Sequence, residues 1–303
     1  MITNDALIIG SKGQDGLLMA EFLANQGIKC WGVHRGSCDL TSFNEVLVLI
    51  KNYRPRYLFY FAAHHTSATE EQNSLDNGAY FNVNTIGVLN FLDAIKLASP
   101  NTHFFFTSSS LIFKPNPIEP LNEDSELELN NLYSISKYAS MRLCEHYRDA
   151  FGLQTTVGIM FNHESRHRKN KFVSRKIVDF VVAIKKGSTG KLSLGSLDTV
   201  VDWGAAEDYM SAIYELVKEG KTGDYIISSG CGHTLREFCE VAFSYLGLDY
   251  KDHVSEDAEN IARVNNTRIG DSGKLIFDLG WKPKISFEKM IQNMIDYQLS
   301  DLA

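Results

Sequence analysis

Tyr133 and Lys137 stand four residues apart in the run Tyr133-Ser134-Ile135-Ser136-Lys137. On a helix that spacing puts both side chains on one face. A lysine ammonium beside a phenol stabilises the phenolate, so the tyrosine can exchange a proton with a hydroxyl or carbonyl near neutral pH. The pair alone occurs often by chance on exposed helices. Its weight comes from the run Phe106-Thr107-Ser108-Ser109-Ser110 ahead of it, where a serine at the end of an apolar strand can hydrogen-bond the same oxygen. A second chemical group lies near the start, in Gly10-Ser11-Lys12-Gly13-Gln14-Asp15-Gly16. Gly10, Gly13 and Gly16 let the backbone turn sharply and approach a pyrophosphate, and a following helix would offer free amides. A glycine-rich turn alone is weak, but this one sits between a first strand and a first helix. Serine, tyrosine and lysine behind such a turn point to hydride transfer with a nicotinamide dinucleotide.

The second strand ends Val33-His34-Arg35, with no acid to take the ribose hydroxyls of NAD. An arginine there suits the 2′-phosphate of NADP, so NADP(H) is expected, with NAD(H) as the alternative. Asp39 is placed near the adenine or as a capping acid in a loop, and the two uses are compatible. Gln14, Asp15, Ala62 and Ala63, with Tyr133 and with Lys137 on the cofactor ribose, complete the expected cofactor set.

These residues need a scaffold of alternating strands and helices. Apolar strand runs are read at 6–9, 29–33, 57–63, 103–108, 155–161 and 224–228. Helices are read at 17–25, 43–52, 84–97, 133–151, 173–186, 207–219, 235–246 and 287–298, with Gly27 as a helix stop. The alternation argues for an α/β fold of Rossmann type, a doubly wound parallel sheet covered on both faces. Residues 1–161 are expected to form the dinucleotide domain. Residues 162–303 are expected to form a smaller substrate lobe, with some elements returning to the first sheet.

The chain has 303 residues, 44% of them hydrophobic and 22% charged, which is ordinary globular composition. A formal charge of −7 argues against a nucleic-acid binder. Anionic ligands must then be held by local basic residues and backbone amides. No run approaches the roughly 18 apolar residues of a membrane span. There is no signal-type start, and the five cysteines form no CxxC pair, which reads as reduced, buried thiols in a cytoplasmic protein. His64-His65 and His163-Glu164 carry no metal-site spacing, so no metal is expected. His65 is read either as a second proton donor beside the cleft or as a structural histidine.

The sequence resembles the extended short-chain dehydrogenases that modify nucleotide sugars, with the GDP-mannose 4,6-dehydratase family as the nearest match. The resemblance rests on Gly10–Ala24 (GSKGQDGLLMAEFLA), on Asn162-His163-Glu164-Ser165 and on Phe172-Val173-Ser174-Arg175-Lys176-Ile177. It continues through Asp202-Trp203-Gly204, Asp208-Tyr209, Gly232–Phe238 and Leu279-Gly280-Trp281-Lys282-Pro283. It implies a nucleotide-sugar substrate, GDP-linked, and hydride transfer at C4 of the sugar. It matches Ser108 to the family's catalytic Thr/Ser, and Tyr133 and Lys137 to its Tyr and Lys. It matches Asn162, Arg168 and Lys176 to diphosphate contacts, with Arg263 in a reshaped region nearby. The basic run from Lys169 to Lys176 is either a solvated face or part of that diphosphate site, and the resemblance favours the site. Relatives pair two subunits through helices like 84–97 and 133–151, which implies a homodimer or homotetramer.

Ser110, expected with Asn162, Arg168, Lys176 and Arg263 at the substrate, stands where the family's dehydratases carry the glutamate that removes the C5 proton, and serine is a poor base. The short connection after Arg35 resembles the keto-sugar reductases. Val201 replaces a nucleotide-binding arginine. The expectation is an NADP(H)-dependent reductase or epimerase, with a 4,6-dehydratase using a substitute base as the second reading. A cofactor-binding redox sensor, which would have no need of Tyr133 and Lys137, is the third.

Overall fold

The computed structural model describes residues 3–65, 77–256 and 266–300. The elements run β1 (Thr3–Ile9), α1 (Gln14–Asn25), β2 (Cys30–Val33), α2 (Phe43–Tyr53), β3 (Pro55–Tyr60) and α3 (Gly78–Phe81). A wide π-turn (Asn82–Ile86) leads into α4 (Gly87–Ala98), then β4 (His103–Ser109), α5 (Leu132–Phe151) and β5 (Thr155–Met160). The rest is β6 (Asn162–Glu164), α6 (Val173–Lys185), β7 (Leu192–Leu194), β8 (Val200–Ala205), α7 (Ala206–Lys218) and β9 (Gly223–Ile227). Last come β10 (Gly232–Thr234), α8 (Leu235–Tyr245), β11 (Val254–Glu256), α9 (Gly273–Leu279) and α10 (Phe287–Ser300).

Six parallel strands form the main sheet in the order β2-β1-β3-β4-β5-β9. Period-2 alternation sends neighbouring side chains to opposite faces. Leu7, Ile9, Leu58, Tyr60, Phe104 and Phe106 enter the core under α2, α4 and α5. Ala6, Ile8, Tyr57, Phe59 and Phe105 enter the one under α1 and α7. Both faces are buried, so these strands read as unbroken apolar runs. Each fully buried phenylalanine contributes roughly 2–3 kcal/mol of burial free energy. The chain order reverses between β1 and β3, and a crevice opens beyond the carboxyl ends of such strands.

β9 joins the main sheet beside β5, 63 residues after β5 ends. A three-stranded sheet, β10-β8-β6, and a parallel pair, β11-β7, belong to a third core built from α6, α8 and α10. β8 escaped the sequence reading because Asp202 interrupts its apolar pattern. That carboxylate is buried and accepts amides from Ser229, Gly230 and Gly270. The expected helix at 84–97 starts as a regular α-helix only at Gly87. The segment before the last helix holds α9, which the polar composition hid. Among the cysteines, Cys144 and Cys239 are buried as expected, but Cys30 and Cys38 are half-buried and Cys231 is exposed. Among the described residues no helix is long and apolar enough to cross a membrane.

Candidate active site

The first turn of α5 carries Tyr133. Asn131 caps that helix, its side chain accepting the Ser134 amide at 2.8 Å, and so fixes where the turn begins. One turn on, Lys137 is 1% exposed and donates from Nζ to the Thr107 carbonyl of β4 at 2.7 Å. Its Nζ lies 4.9 Å from the Phe106 ring centroid and 5.7 Å from that of Tyr133. Burial pulls the Lys137 ammonium down to about 7, against a smaller upward push from Asp15. Burial pushes the Tyr133 phenol up to about 12, with a hydrogen bond from Ser109 acting the other way.

Ser109 borders the cleft beside Tyr133, where its side chain lowers the phenol. Ser108 borders the same cleft, but its hydroxyl is directed at Met141 Sδ, 3.0 Å away. Ser110 is 8% exposed at the start of a 3-10 turn (Ser110–Ile112) and is not among the residues lining the cleft, whereas Leu111 is.

Asn84 is a site residue that the sequence reading missed. It is fully buried in the π-turn, accepts the His64 amide at 2.8 Å and donates to Ser136 Oγ at 3.0 Å. Its carbonyl takes the Ser140 hydroxyl. It thereby ties the end of β3 to the helix bearing Tyr133 and Lys137. Nothing in the local sequence marks it, since an asparagine in a helical stretch has no special spacing. His65 lines the cleft with its ring edge-on to Tyr133 at 4.8 Å. His64 packs edge-on against Tyr80 at 4.7 Å.

The glycine turn fits a dinucleotide. A Cβ on Gly10 would lie 2.7 Å from the Ala62 amide nitrogen, and one on Gly16 would lie 2.5 Å from the Gly10 carbonyl oxygen. The α1 N-terminus starts after Gly13 with no side-chain cap, so its first amides face the cleft with the positive end of the helix dipole. A cleft of about 790 Å³ runs from Gly10 and Gly13 past Ala62 and Ala63 to Arg35 and Asp39. Asp39 also acts as the loop acid: its Oδ1 accepts the Thr41 amide at 2.9 Å and hydroxyl at 2.7 Å, and these bonds hold its carboxyl below the usual range.

Gln14 and Asp15 do something else as well. Gln14 Nε2 donates to the His163 carbonyl at 3.0 Å, and Ser165 Oγ donates to Gln14 Oε1 at 3.0 Å. The Asp15 carboxylate sits against the His163 ring. The glycine turn and the Asn162–Ser165 segment are thus two halves of one joint. Asn162 and Arg168 line the catalytic cleft, where Arg168 is paired with buried Glu164 at 2.9 Å and lies 3.6 Å over the Phe172 ring. Lys176, matched to a diphosphate contact, is exposed on α6 and does not line the cleft, because that helix turns Ser174, Ile177 and Val178 inward. Arg263 lies outside the described residues. Among the described residues no group of three or more His, Cys, Asp or Glu side chains is placed to hold a metal ion.

Among solved structures, that of RMD from Pseudomonas aeruginosa complexed with NADPH matches with a TM-score of 0.87 at 22% identity, covering 99% of each chain. A GDP-6-OMe-4-keto-L-xylo-heptose reductase from C. jejuni matches with a TM-score of 0.85 at 18% identity, again over 99% of each chain. Both show the shared fold. In sequence, GDP-mannose 4,6 dehydratase 2 of Arabidopsis thaliana is 32% identical over 97% of this chain and 86% of its own length. The family model described as GDP-mannose 4,6 dehydratase matches residues 36–294. A match of that extent, laid over a glycine turn and a Tyr133–Lys137 pair at the cleft, places the chain in the GDP-mannose 4,6-dehydratase family of nucleotide-sugar-modifying short-chain dehydrogenases/reductases.

Proposed function

We propose that the protein is an NADP(H)-dependent oxidoreductase that reduces or epimerises a GDP-linked keto-sugar at C4. The observation that carries this reading is which acid–base groups border the catalytic cleft. Among the described residues, Tyr133 is the phenol positioned there, with Lys137 one helical turn on and Ser108 and Ser109 at the same cleft. The two carboxylates at the cleft are already engaged, Asp15 by His163 and Glu164 by Arg168 and Ser174. A 4,6-dehydration needs a free carboxylate to take the C5 proton, and position 110 holds a buried serine instead.

When bound, the nicotinamide supplies or accepts the hydride at C4. Tyr133 gives its proton to the sugar oxygen as charge develops there, and its raised pKa keeps it protonated until then. Lys137, anchored on the Thr107 carbonyl, steadies the phenolate left behind. Arg168 offers the cleft a guanidinium for a diphosphate.

The names of the curated relatives favour a second reading, the 4,6-dehydratase itself. One experiment separates them: the purified protein is incubated with NADP⁺ or NADPH and with GDP-mannose or its 4-keto-6-deoxy product, and products are identified by mass and NMR. NADPH oxidation with the keto-sugar alone supports the reductase. Water loss from GDP-mannose without net NADPH consumption overturns it in favour of the dehydratase.

A further inference from the structure

The dinucleotide cleft gathers three cations from three distant parts of the chain. Lys12 comes from the glycine turn, Arg35 from the end of β2, and Lys169 from the segment after β6. Two acids, Asp39 and Glu45, line the same space. Both are already used by the polypeptide: Asp39 takes the Thr41 amide and hydroxyl, and Glu45 Oε2 takes the Asp39 amide at 2.9 Å. Among the described residues, the side chains of Lys12, Arg35 and Lys169 make no hydrogen bond or ion pair. Three cations against two carboxylates leave this cleft with a positive balance that favours an anionic ligand. The glycine turn accounts for a pyrophosphate. It does not account for Arg35 at the end of β2, where the adenosine ribose of a bound dinucleotide would lie.

Lys169 is the least expected of the three, because it belongs to the second lobe. Its segment is folded onto the dinucleotide lobe by its neighbours. Lys171 Nζ donates to the His65 carbonyl at 2.8 Å, the Phe172 amide donates to the Lys169 carbonyl at 3.1 Å, and the Phe172 ring lies 5.8 Å from the His65 ring. These contacts bring Lys169 to line both the long cleft that reaches Arg35 and Asp39 and the stretch along Gly10 and Gly13. Arg168, one residue earlier, faces the catalytic cleft instead.

We propose that Lys169 is a cofactor-selectivity residue supplied across the cleft from the substrate lobe, its ammonium pairing with the 2′-phosphate of NADP(H) alongside Arg35 and Lys12. This rests on the NADP(H) reading of the cleft. A charge-assisted contact to a phosphate dianion is among the stronger polar contacts available to a lysine, and NADH offers no such group. NADP(H) would then also fix the segment that carries Arg168 towards the sugar nucleotide.

The test is equilibrium binding of NADPH and NADH, followed by nicotinamide fluorescence and by calorimetry, on the wild-type chain, Lys169→Gln, Lys169→Arg and Arg35→Gln. Lys169 is exposed, so the melting temperature of Lys169→Gln should match the wild type, which separates a lost contact from a lost fold. The expected result is about a tenfold loss of NADPH affinity in Lys169→Gln, less than about a twofold change for NADH, and recovery in Lys169→Arg. An equal loss for both cofactors would put Lys169 on the shared pyrophosphate and overturn the proposal, as would no loss at all. A wild-type protein that prefers NADH would sink the NADP(H) reading itself, whatever Lys169 does.

Discussion

His163 Nε2 lies 3.0 Å from Asp15 Oδ1, a contact between residues 148 positions apart. Tyr209 stacks on the His163 ring at 5.0 Å, and His163 Nδ1 lies 2.7 Å from the Phe161 carbonyl oxygen. For Asp15, burial pushes the carboxyl up, but the charge and hydrogen bond of His163 outweigh it and leave it lowered. For His163, burial pulls the imidazole down, but Asp15 outweighs it and leaves it raised.

The pair therefore stabilises the fold within a pH window. The Asp15 contribution is present above the unfolded carboxyl pKa of about 3.9 and is lost as pH falls through the lowered folded value. The His163 contribution is present below its unfolded pKa of about 6.5 and is lost as pH rises through the raised folded value. Asp15→Asn should cost about 2 kcal/mol at pH 6, the size of a charge-assisted hydrogen bond. Denaturant melts of wild type and variant from about pH 2 to 9 should show the gap narrowing at both ends, on the acid side only below about pH 3.9, and a constant gap would contradict the pairing.

Tyr133→Phe keeps the ring against His65 and removes only the proton that the reaction moves. Turnover should fall by roughly 10²–10⁴-fold. NADPH affinity should stay within about twofold, because the phenol does not form the phosphate cradle. Single-turnover kinetics beside a binding titration reads both quantities, and retained turnover would remove Tyr133 from the chemistry.

Lys137 has the opposite linkage sign to His163. Its folded value of about 7 lies below the unfolded value of about 10.4, so the unfolded chain binds the extra proton between them. This group therefore makes the cofactor-free protein more stable as pH rises from about 7 to about 10. Lys137→Met fills a similar volume without the charge and should lose that rise. The difference between variant and wild-type melting temperatures should favour the variant at pH 6 and shrink by pH 9. A difference independent of pH would mean that Lys137 stays charged in its buried place.

Gly16→Ala would drive a methyl to 2.5 Å from the Gly10 carbonyl oxygen and 2.6 Å from the Ser11 Cα, both backbone atoms that cannot rotate away. The turn must open, costing stability of roughly 1–3 kcal/mol and weakening NADPH and NADH alike. Equal weakening of the two distinguishes damage to the shared pyrophosphate cradle from the one-sided loss expected at Lys169. Unchanged binding would show that the turn tolerates a Cβ.

The main sheet and the Tyr133–Lys137 face were legible because periodicity and helix spacing are local signals. The serines show where that stops. All three of Ser108, Ser109 and Ser110 sit at a strand end, and only the fold shows that Ser108 and Ser109 border the cleft, with the Ser108 hydroxyl directed at Met141, while Ser110 does not. Asn84 was illegible for a different reason: its role depends on partners at His64, Ser136 and Ser140, and a helical pattern says nothing about a wide turn. Lys169 was visible as part of a basic run, but not the direction it faces, which depends on Lys171 and Phe172 meeting His65. Lys176 failed because adjacent positions on a helix point about 100° apart, and a motif match does not say which one turns inward.

The π-turn at residues 82–86 works as a phase adjuster. A regular helix advances about 100° per residue, so one extra residue in a wide turn resets the angle of everything after it. Before the reset, Asn84 points to the end of β3 and the Tyr133 helix. After it, Val88, Phe91, Leu92 and Ile95 point to the sheet. An uninterrupted helix would satisfy one of these orientations and spoil the other. Evolution along this segment is therefore constrained in length as well as in composition: losing a single residue there would leave each side chain its chemistry and deny it its direction.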